Sequence, residues 1–435
     1  MIAGLQTYDI ILIVSFMILI GLFIGRVVER LSIPNISGYL MVGIAFGIIL
    51  TFFEYDGLLD LFMYLTKFGL CFIALSIGLE LDLKKIWARR NEVLIVTLSQ
   101  AILVFIFTSL GLFIFGMDLH IALLLGSIAI ATEPGPILFL TKRYKTKGEI
   151  TDTLVPLHSV EDAFAIIIFG ITLSYAIAID SGSGLSLSMI LHGPIYELLF
   201  SVLIGVFIGV TLRTIIKKLD YKDVDKDMVV FVSAVVAILI SIAFANRGFS
   251  FFGVDVHLSP VLLPMVVGIT FTNTSSKLAK KETEHMIDLF SPPILIGFFT
   301  IIGAEMVFLI YNELANVALG SFLIFVSVYI IFRIIGKLGG SYLGGMLAKS
   351  SKNLRKYLGF CLLPQAQAAL GLAFYARSRL SDTTQGTMLV LIVIVGTLVY
   401  ELFGPFGLRH SLIRCEEVDE NGACIIRVKN INKLP

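Results

Sequence analysis

Apolar stretches of bilayer length fill this chain almost end to end, and that repetition restricts the fold more than any single motif. A helix needs about 20 apolar residues to cross the hydrocarbon core. Thirteen such segments can be marked: 9–28, 37–53, 59–81, 92–115, 119–140, 152–179, 189–212, 228–245, 257–272, 287–310, 316–347, 356–380 and 385–408. In lipid a spanning segment must satisfy its own backbone N–H and C=O groups, so each is expected to be helical. Only 15 % of the 435 residues are charged while 57 % are hydrophobic, whereas soluble domains carry about a quarter charged. The chain reads as an all-α polytopic membrane protein with about 13 transmembrane helices.

The connecting loops give the orientation. One alternate set carries Arg26 and Arg30, then Lys84, Lys85, Arg89 and Arg90, then Lys142, Arg143, Lys145 and Lys147, and continues basic through Arg213, Lys277 and Lys352. The other set is acidic, with Glu54, Asp56, Asp60, Asp118, Asp180, Glu313 and Asp382. Basic loops stay in the cytoplasm. The N-terminus is therefore expected outside and the C-terminus in the cytoplasm, with residues 1–408 as the transmembrane domain and 409–435 as a short tail. The basic runs serve as topology signals, with anionic lipid as the alternative contact; no nucleic-acid partner is expected. The four cysteines form no CxxC or Cys/His cluster, and no cleavable leader is expected at the N-terminus.

The two halves echo each other. Phe68 to Glu80 and Ile296 to Glu305 both end in Gly-X-Glu, at places that read as interfacial. Two segments later each half has a proline-bearing polar interruption, Ala131-Thr-Glu-Pro-Gly-Pro136 and Leu363-Pro-Gln-Ala-Gln367. These partners lie seven segments apart and so cross in opposite directions. An inverted repeat with two discontinuous helices is the usual build of a secondary transporter's substrate site.

Ionisable residues within spans are costly and mark functional sites or buried pairs. Glu133 lies inside the first interruption, where Pro134 and Pro136 each remove a donor and Gly135 relaxes the chain between them. Backbone freed there is tolerated only beside a polar cavity. Thr132 and the freed carbonyls offer hard oxygen ligands to a cation; a plain proline kink with Glu133 hydrogen-bonded to a neighbour is the alternative. Pro364 marks the second interruption, and Gln365 and Gln367 could cap its broken ends. In Val160-Glu161-Asp162-Ala163 the two acids point about 100° apart around their helix. A buried carboxyl is stable either protonated or with a cation bound, so proton and metal ion compete for it. A salt bridge or shared-proton pair is the alternative. Lys337 is the candidate partner of Glu161. Arg333, one turn before Lys337, and His158, one turn before Asp162, are secondary candidates.

These residues resemble the monovalent cation:proton antiporters, the sodium/proton exchanger superfamily. Leu31-Ser-Ile-Pro-Asn-Ile-Ser-Gly-Tyr-Leu resembles the family's opening segment, and Phe72-Ile-Ala-Leu-Ser-Ile-Gly-Leu-Glu-Leu-Asp82 its Gly-Leu-Glu segment. Leu402-Phe-Gly-Pro405 with the basic tail is similar to the ending of its second major branch. The resemblance implies a homodimer of thirteen- or twelve-helix subunits, each with a dimerisation domain and a core domain that moves like an elevator. Asp162 matches the ion-binding acid of the family's sixth span, and Glu161 stands where the family has Asp or Asn. Thr132-Glu133 matches a Thr-Asp pair, and Lys337 a lysine that pairs with the first acid.

The expected activity is antiport of protons against a monovalent cation, Na⁺ or K⁺ bound at Asp162, in a bacterial cell membrane and in the service of pH homeostasis. Glu161, Glu133 and Thr132 would complete the site, with Lys337 as its coupled base. No enzymatic activity and no cofactor beyond the transported ions is expected. The alternative is a K⁺/H⁺ antiporter or potassium efflux-type protein without its own nucleotide-binding domain, since no GxGxxG follows the last span.

Overall fold

A computed structural model describes residues 7–30, 35–52, 59–81, 83–88, 90–133, 146–180, 187–218, parts of 235–243, 249–251, 254–256, 258–259, 261–313 and 319–418. The helices are α1 (Thr7–Arg30), α2 (Asn35–Phe52), α3 (Leu59–Glu80), α4 (Leu83–Ala88), α5 (Arg90–Ile114), α6 (Leu119–Ile128), α7 (Glu149–Asp180), α8 (Leu187–Lys218), α9 (Leu262–Thr274), α10 (Lys277–Glu313), α11 (Leu319–Leu347), α12 (Lys352–Cys361), α13 (Gln367–Arg379) and α14 (Thr383–Arg414). All but α4 fall on twelve of the thirteen marked segments, with α12 and α13 sharing the twelfth; the eighth, 228–245, lies largely outside the described residues. Five helical stretches are long and apolar enough to cross a bilayer: Arg90–Ile114, Glu149–Ile179, Leu289–Phe308, Leu319–Leu347 and Thr383–Arg414. The chain is a multi-pass membrane protein. The only strands among the described residues form a hairpin, β1 (Phe249–Phe251) against β2 (Val254–Val256), with Phe249 opposite Val256. Its aromatic and β-branched alternation favours strand over helix.

The chain divides into two compact units, and each draws on both halves of the sequence. Residues 1–80 and 195–318 form the first, 81–194 and 319–435 the second. In the first unit α2 lies along α10, and α3 along α9. Spans seven places apart exchange under an inverted repeat, so the second-to-tenth and third-to-ninth contacts are images of one another. The contacts match too. Gly43 and Gly303 meet between α2 and α10, and Gly78 and Gly268 between α3 and α9, because small residues let membrane helices approach closely. Glu305, read as interfacial, is buried.

In the second unit the repeat mates pack directly on each other. α5 runs antiparallel to α11 along a seam in which Gly336 faces Val104, Gly340 faces Gln100 and Gly344 faces Val96. A Cβ on residue 340 would lie 2.5 Å from the Gln100 Cα. Gly340→Ala is therefore expected to cost about 1–3 kcal/mol through overpacking, read as a lowered melting temperature of the detergent-purified protein. An unchanged melting temperature would mean the seam is looser than this.

The starts of α14 and α7 are tied down in this unit. Asp382 Oδ1 accepts from the N–H of Thr384 at 2.9 Å and of Gln385 at 3.1 Å, capping α14. α14 continues six residues past the 408 boundary expected from sequence, to Arg414. After its closing turn the Glu417 carboxylate accepts from the Ile150 N–H at 2.8 Å and the Thr151 hydroxyl at 2.5 Å, at the first turn of α7. Residues 419–435 lie outside the described residues.

Candidate functional site

Two helices stop inside the second unit. α6 ends at Ile128 and the chain runs through a turn into irregular backbone to Glu133; α12 ends at Cys361, and α13 begins only at Gln367. Pro364 lies in the second interruption as expected, while Pro134, Gly135 and Pro136 lie outside the described residues. The interruptions touch. The Glu133 N–H donates to the Pro364 carbonyl at 3.0 Å, and the Thr132 hydroxyl donates to the Leu362 carbonyl at 3.3 Å.

A helix that stops leaves its last four carbonyls without intrahelical donors. At the end of α6 four successive carbonyls are met by side chains from elsewhere. Gln365 Nε2 donates to Ile128 O at 3.0 Å, Arg333 Nε to Ala129 O at 2.8 Å, Lys337 Nζ to Ile130 O at 2.6 Å, and Arg333 Nη2 to Ala131 O at 2.9 Å. Arg333 also reaches the second interruption, with Nη1 2.7 Å from Leu363 O. Two cations at a helix C-terminus oppose its negative dipole end. The freed carbonyls, expected as cation ligands, are thus already engaged by donors. Gln365 caps the opposite broken helix instead of its own, and its amide also pairs with the Tyr329 hydroxyl. The side chain of Gln367 lies outside the described residues.

Arg333 and Lys337 sit one turn apart on α11, which places both on one face. Each is fully buried. The Arg333 guanidinium also stacks on the Tyr400 ring, 4.2 Å from its centroid. Lys337 does not snorkel. Its three donors go to Ile130 O, to the Thr132 hydroxyl at 2.7 Å and to Glu161 Oε1 in an ion pair.

The two acids of α7 diverge as their 100° offset requires. Glu161 meets Lys337. Asp162, 1 % exposed, completes no hydrogen bond with either oxygen among the described residues. Its surroundings are His158, with Nε2 3.4 Å from Oδ2, and the Thr132 N–H, which is within electrostatic reach without completing a bond. Glu161, Glu133 and Lys337 act on it as charges. The structure therefore brings Thr132, Glu133, His158, Glu161, Asp162, Lys337, Arg333 and Gln365 together. Thr132 serves here as a bridge between Lys337 and Leu362. Sequence reasoning gave Arg333 a minor place and missed Tyr329, Tyr400 and Glu401. The available signal was the i, i+4 spacing of Arg333 and Lys337 on one face of an otherwise apolar helix.

A buried carboxyl beside two crossing broken helices, in a multi-pass helical unit, defines a membrane transporter of the secondary class. Residues 13–405 match the family described as the transmembrane sodium/hydrogen exchanger, and the chain belongs to that family. It is 24 % identical over 379 residues to the Na(+)/H(+)-K(+) antiporter GerN of Bacillus cereus, covering 86 % of this chain and 90 % of that one. It is 27 % identical over 143 residues to Na(+)/H(+) antiporter 1 of Methanocaldococcus jannaschii, about a third of each chain. The solved structure of the sodium proton antiporter MjNhaP1 from the same organism, at pH 8, matches with a TM-score of 0.74. That match covers 94 % of this chain and all of the other at 16 % identity, and it establishes the shared fold.

Proposed function

We propose that the chain is a secondary active antiporter that exchanges protons for a monovalent cation, Na⁺ in the first place with K⁺ as the alternative cargo. The observation that carries this reading is Asp162, buried with neither oxygen completing a hydrogen bond among the described residues while its neighbour Glu161 is neutralised by Lys337. Such a carboxyl takes either a proton or a cation, and arrival of one expels the other. Both ions compete for one group, so the carrier crosses loaded with one or the other, and exchange follows without any enzymatic step. Glu133 adds negative charge next to Asp162. Lys337 holds Glu161 and Thr132 in place around it. The activities for which the family relatives are named, Na⁺/H⁺ and Na⁺/H⁺-K⁺ antiport, support this assignment. The same reading makes the protein a homodimer of thirteen-span subunits in a bacterial cell membrane, with a cytoplasmic C-terminus and an elevator-like core.

The test is exchange in liposomes containing the purified protein and a trapped pH indicator. After an imposed pH gradient, NaCl or KCl is expected to collapse it, and choline chloride to leave it standing. A gradient indifferent to Na⁺, K⁺ and Li⁺ would overturn the proposal.

A further inference from the structure

Resting on the antiporter reading, we propose that Glu417 is a positioning residue for exchange: it caps α7 from outside that helix, and so sets the bend at Pro156 and the place of Asp162. The first intrahelical bond of α7 runs from the Asp152 N–H to the Gly148 carbonyl at 3.0 Å, which makes Gly148 the cap residue. Glycine has no side chain to meet the N–H groups of the first turn. Glu417 meets them from 267 positions away in the sequence. Its Oε1 accepts from the Ile150 N–H at 2.8 Å, and its Oε2 from the Thr151 N–H at 3.2 Å and the Thr151 hydroxyl at 2.5 Å. Both oxygens must accept, which a carboxylate can do and an amide cannot. The carboxylate also places negative charge at the positive end of a 32-residue helix.

The surroundings of Glu417 are shaped for this contact. Glu417 is buried, and a Cβ on residue 148 would lie 2.3 Å from its Oε1 and 2.4 Å from its Cδ. Glycine at the cap is what lets the carboxylate reach the helix. The turn that delivers Glu417 is closed twice, with the Glu416 N–H donating to Ile413 O and the Glu417 N–H to Leu412 O, both at 3.0 Å. This is the Schellman arrangement, and it holds Glu416 in the left-handed region at φ 57°. A glutamate is less favourable there than a glycine. The strained residue is the one that aims Glu417 at α7.

Pro156 makes the cap matter to the site. Inside α7 it offers no N–H to the Asp152 carbonyl, so the ladder lacks a rung between the cap and the two acids. Helices bend at such places, and the bend is set by what holds the helix on either side. On the inner side Lys337 holds Glu161. On the outer side stand Glu417 and Ser351, whose hydroxyl donates to Glu149 Oε2 at 2.5 Å. His158 lies two residues past Pro156 and Asp162 one turn further, so both follow the bend. With the outer side released, α7 pivots on the Glu161–Lys337 pair. Thr132 stays with Lys337, 2.7 Å away, while Asp162 moves relative to it.

Wild type, Glu417→Gln, Glu417→Asp and Gly148→Ala would be compared as full chains. Gly148→Ala keeps the carboxylate and pushes it off its donors. Half-saturating Na⁺ or K⁺ would be read twice, from exchange in liposomes and from the cation-dependent rise in melting temperature. Glu417→Gln and Gly148→Ala are expected to raise it about threefold to tenfold. Their maximal exchange rate should stay within about a factor of two of wild type. Glu417→Asp, which keeps both acceptors, should lie closer to wild type. Hydrogen exchange over residues 149–162 should speed up in Glu417→Gln and Gly148→Ala. The effect of Glu417→Gln should shrink in a Pro156→Ala background, where the ladder is whole, and an undiminished effect would overturn the proposal. A lowered melting temperature and maximal rate with half-saturation unmoved would also overturn it, leaving Glu417 a structural cap. So would a Gly148→Ala protein indistinguishable from wild type. If wild type neither binds nor moves Na⁺ or K⁺, the antiporter reading fails, while hydrogen exchange over 149–162 still decides whether Glu417 restrains α7. If Glu417→Gln does not insert, Gly148→Ala and Glu417→Asp carry the decision.

Discussion

Asp162→Asn is expected to reduce cation-driven collapse of a pH gradient to the background of empty liposomes, a loss of about a hundredfold or more. The amide has the same shape, yet it takes up no proton and carries no charge to bind a cation. Stability should not suffer. The carboxyl it replaces completes no hydrogen bond among the described residues, so no partner is orphaned, and the melting temperature is expected to stay the same or rise. Glu161→Gln should behave in the opposite way. It leaves the fully buried Lys337 ammonium facing a carbonyl, a hydroxyl and a neutral amide with its paired carboxylate gone, and breaking a buried ion pair by neutralising one partner costs up to about 3–5 kcal/mol. The contrast separates the two adjacent acids: one change stops exchange in a stable protein, the other first destabilises the protein. Retained exchange in Asp162→Asn at a rate near wild type would remove Asp162 from the centre of the mechanism.

Much of this was legible in the sequence because membrane constraints are severe. Apolar length alone placed twelve described segments, and the proline-bearing polar stretch Leu363-Pro-Gln-Ala-Gln367 placed the second interruption. The Lys337–Glu161 pair was legible as a candidate, since a buried ammonium needs a carboxylate and the family resemblance pairs this lysine with the first acid. What was not legible are the contacts that join residues about two hundred positions apart, such as Gln365 with Ile128 or Arg333 with Ala129. No local period encodes which carbonyl a long side chain will meet; the crossing of the two interruptions decides it. Glu401 escaped notice for a different reason. It sits near the basic end of the last apolar segment, where a charge looks interfacial, but α14 continues to Arg414 and leaves it thirteen residues inside the helix.

Arg333→Met is expected to do the greatest damage to the fold. The guanidinium serves Ala129 and Ala131 in one interruption and Leu363 in the other, so it is the side chain that binds both broken ends at once. Methionine matches the stem and leaves three buried carbonyls without those donors, at roughly 1–3 kcal/mol each. The Tyr400 stacking contact is lost as well, worth about 0.5–2 kcal/mol. Together these approach the whole stability of a marginally stable protein. Arg333→Lys keeps the charge on a flexible stem but cannot present three donors in a fixed fork; it should therefore fall between wild type and methionine in melting temperature. Exchange should fall with it, because the Thr132 and Glu133 backbone hangs on the same crossing. The informative comparison is with Lys337→Met, where one carbonyl, one hydroxyl and one carboxylate lose their donor. That loss can be relieved if Glu161 takes up a proton, which makes it pH-dependent. Carbonyls cannot be relieved in that way. The melting temperature of Lys337→Met is therefore expected to recover towards acid pH and that of Arg333→Met to stay low at every pH, and equal pH dependence in the two variants would show that Arg333 acts through charge and not through the carbonyls it bridges.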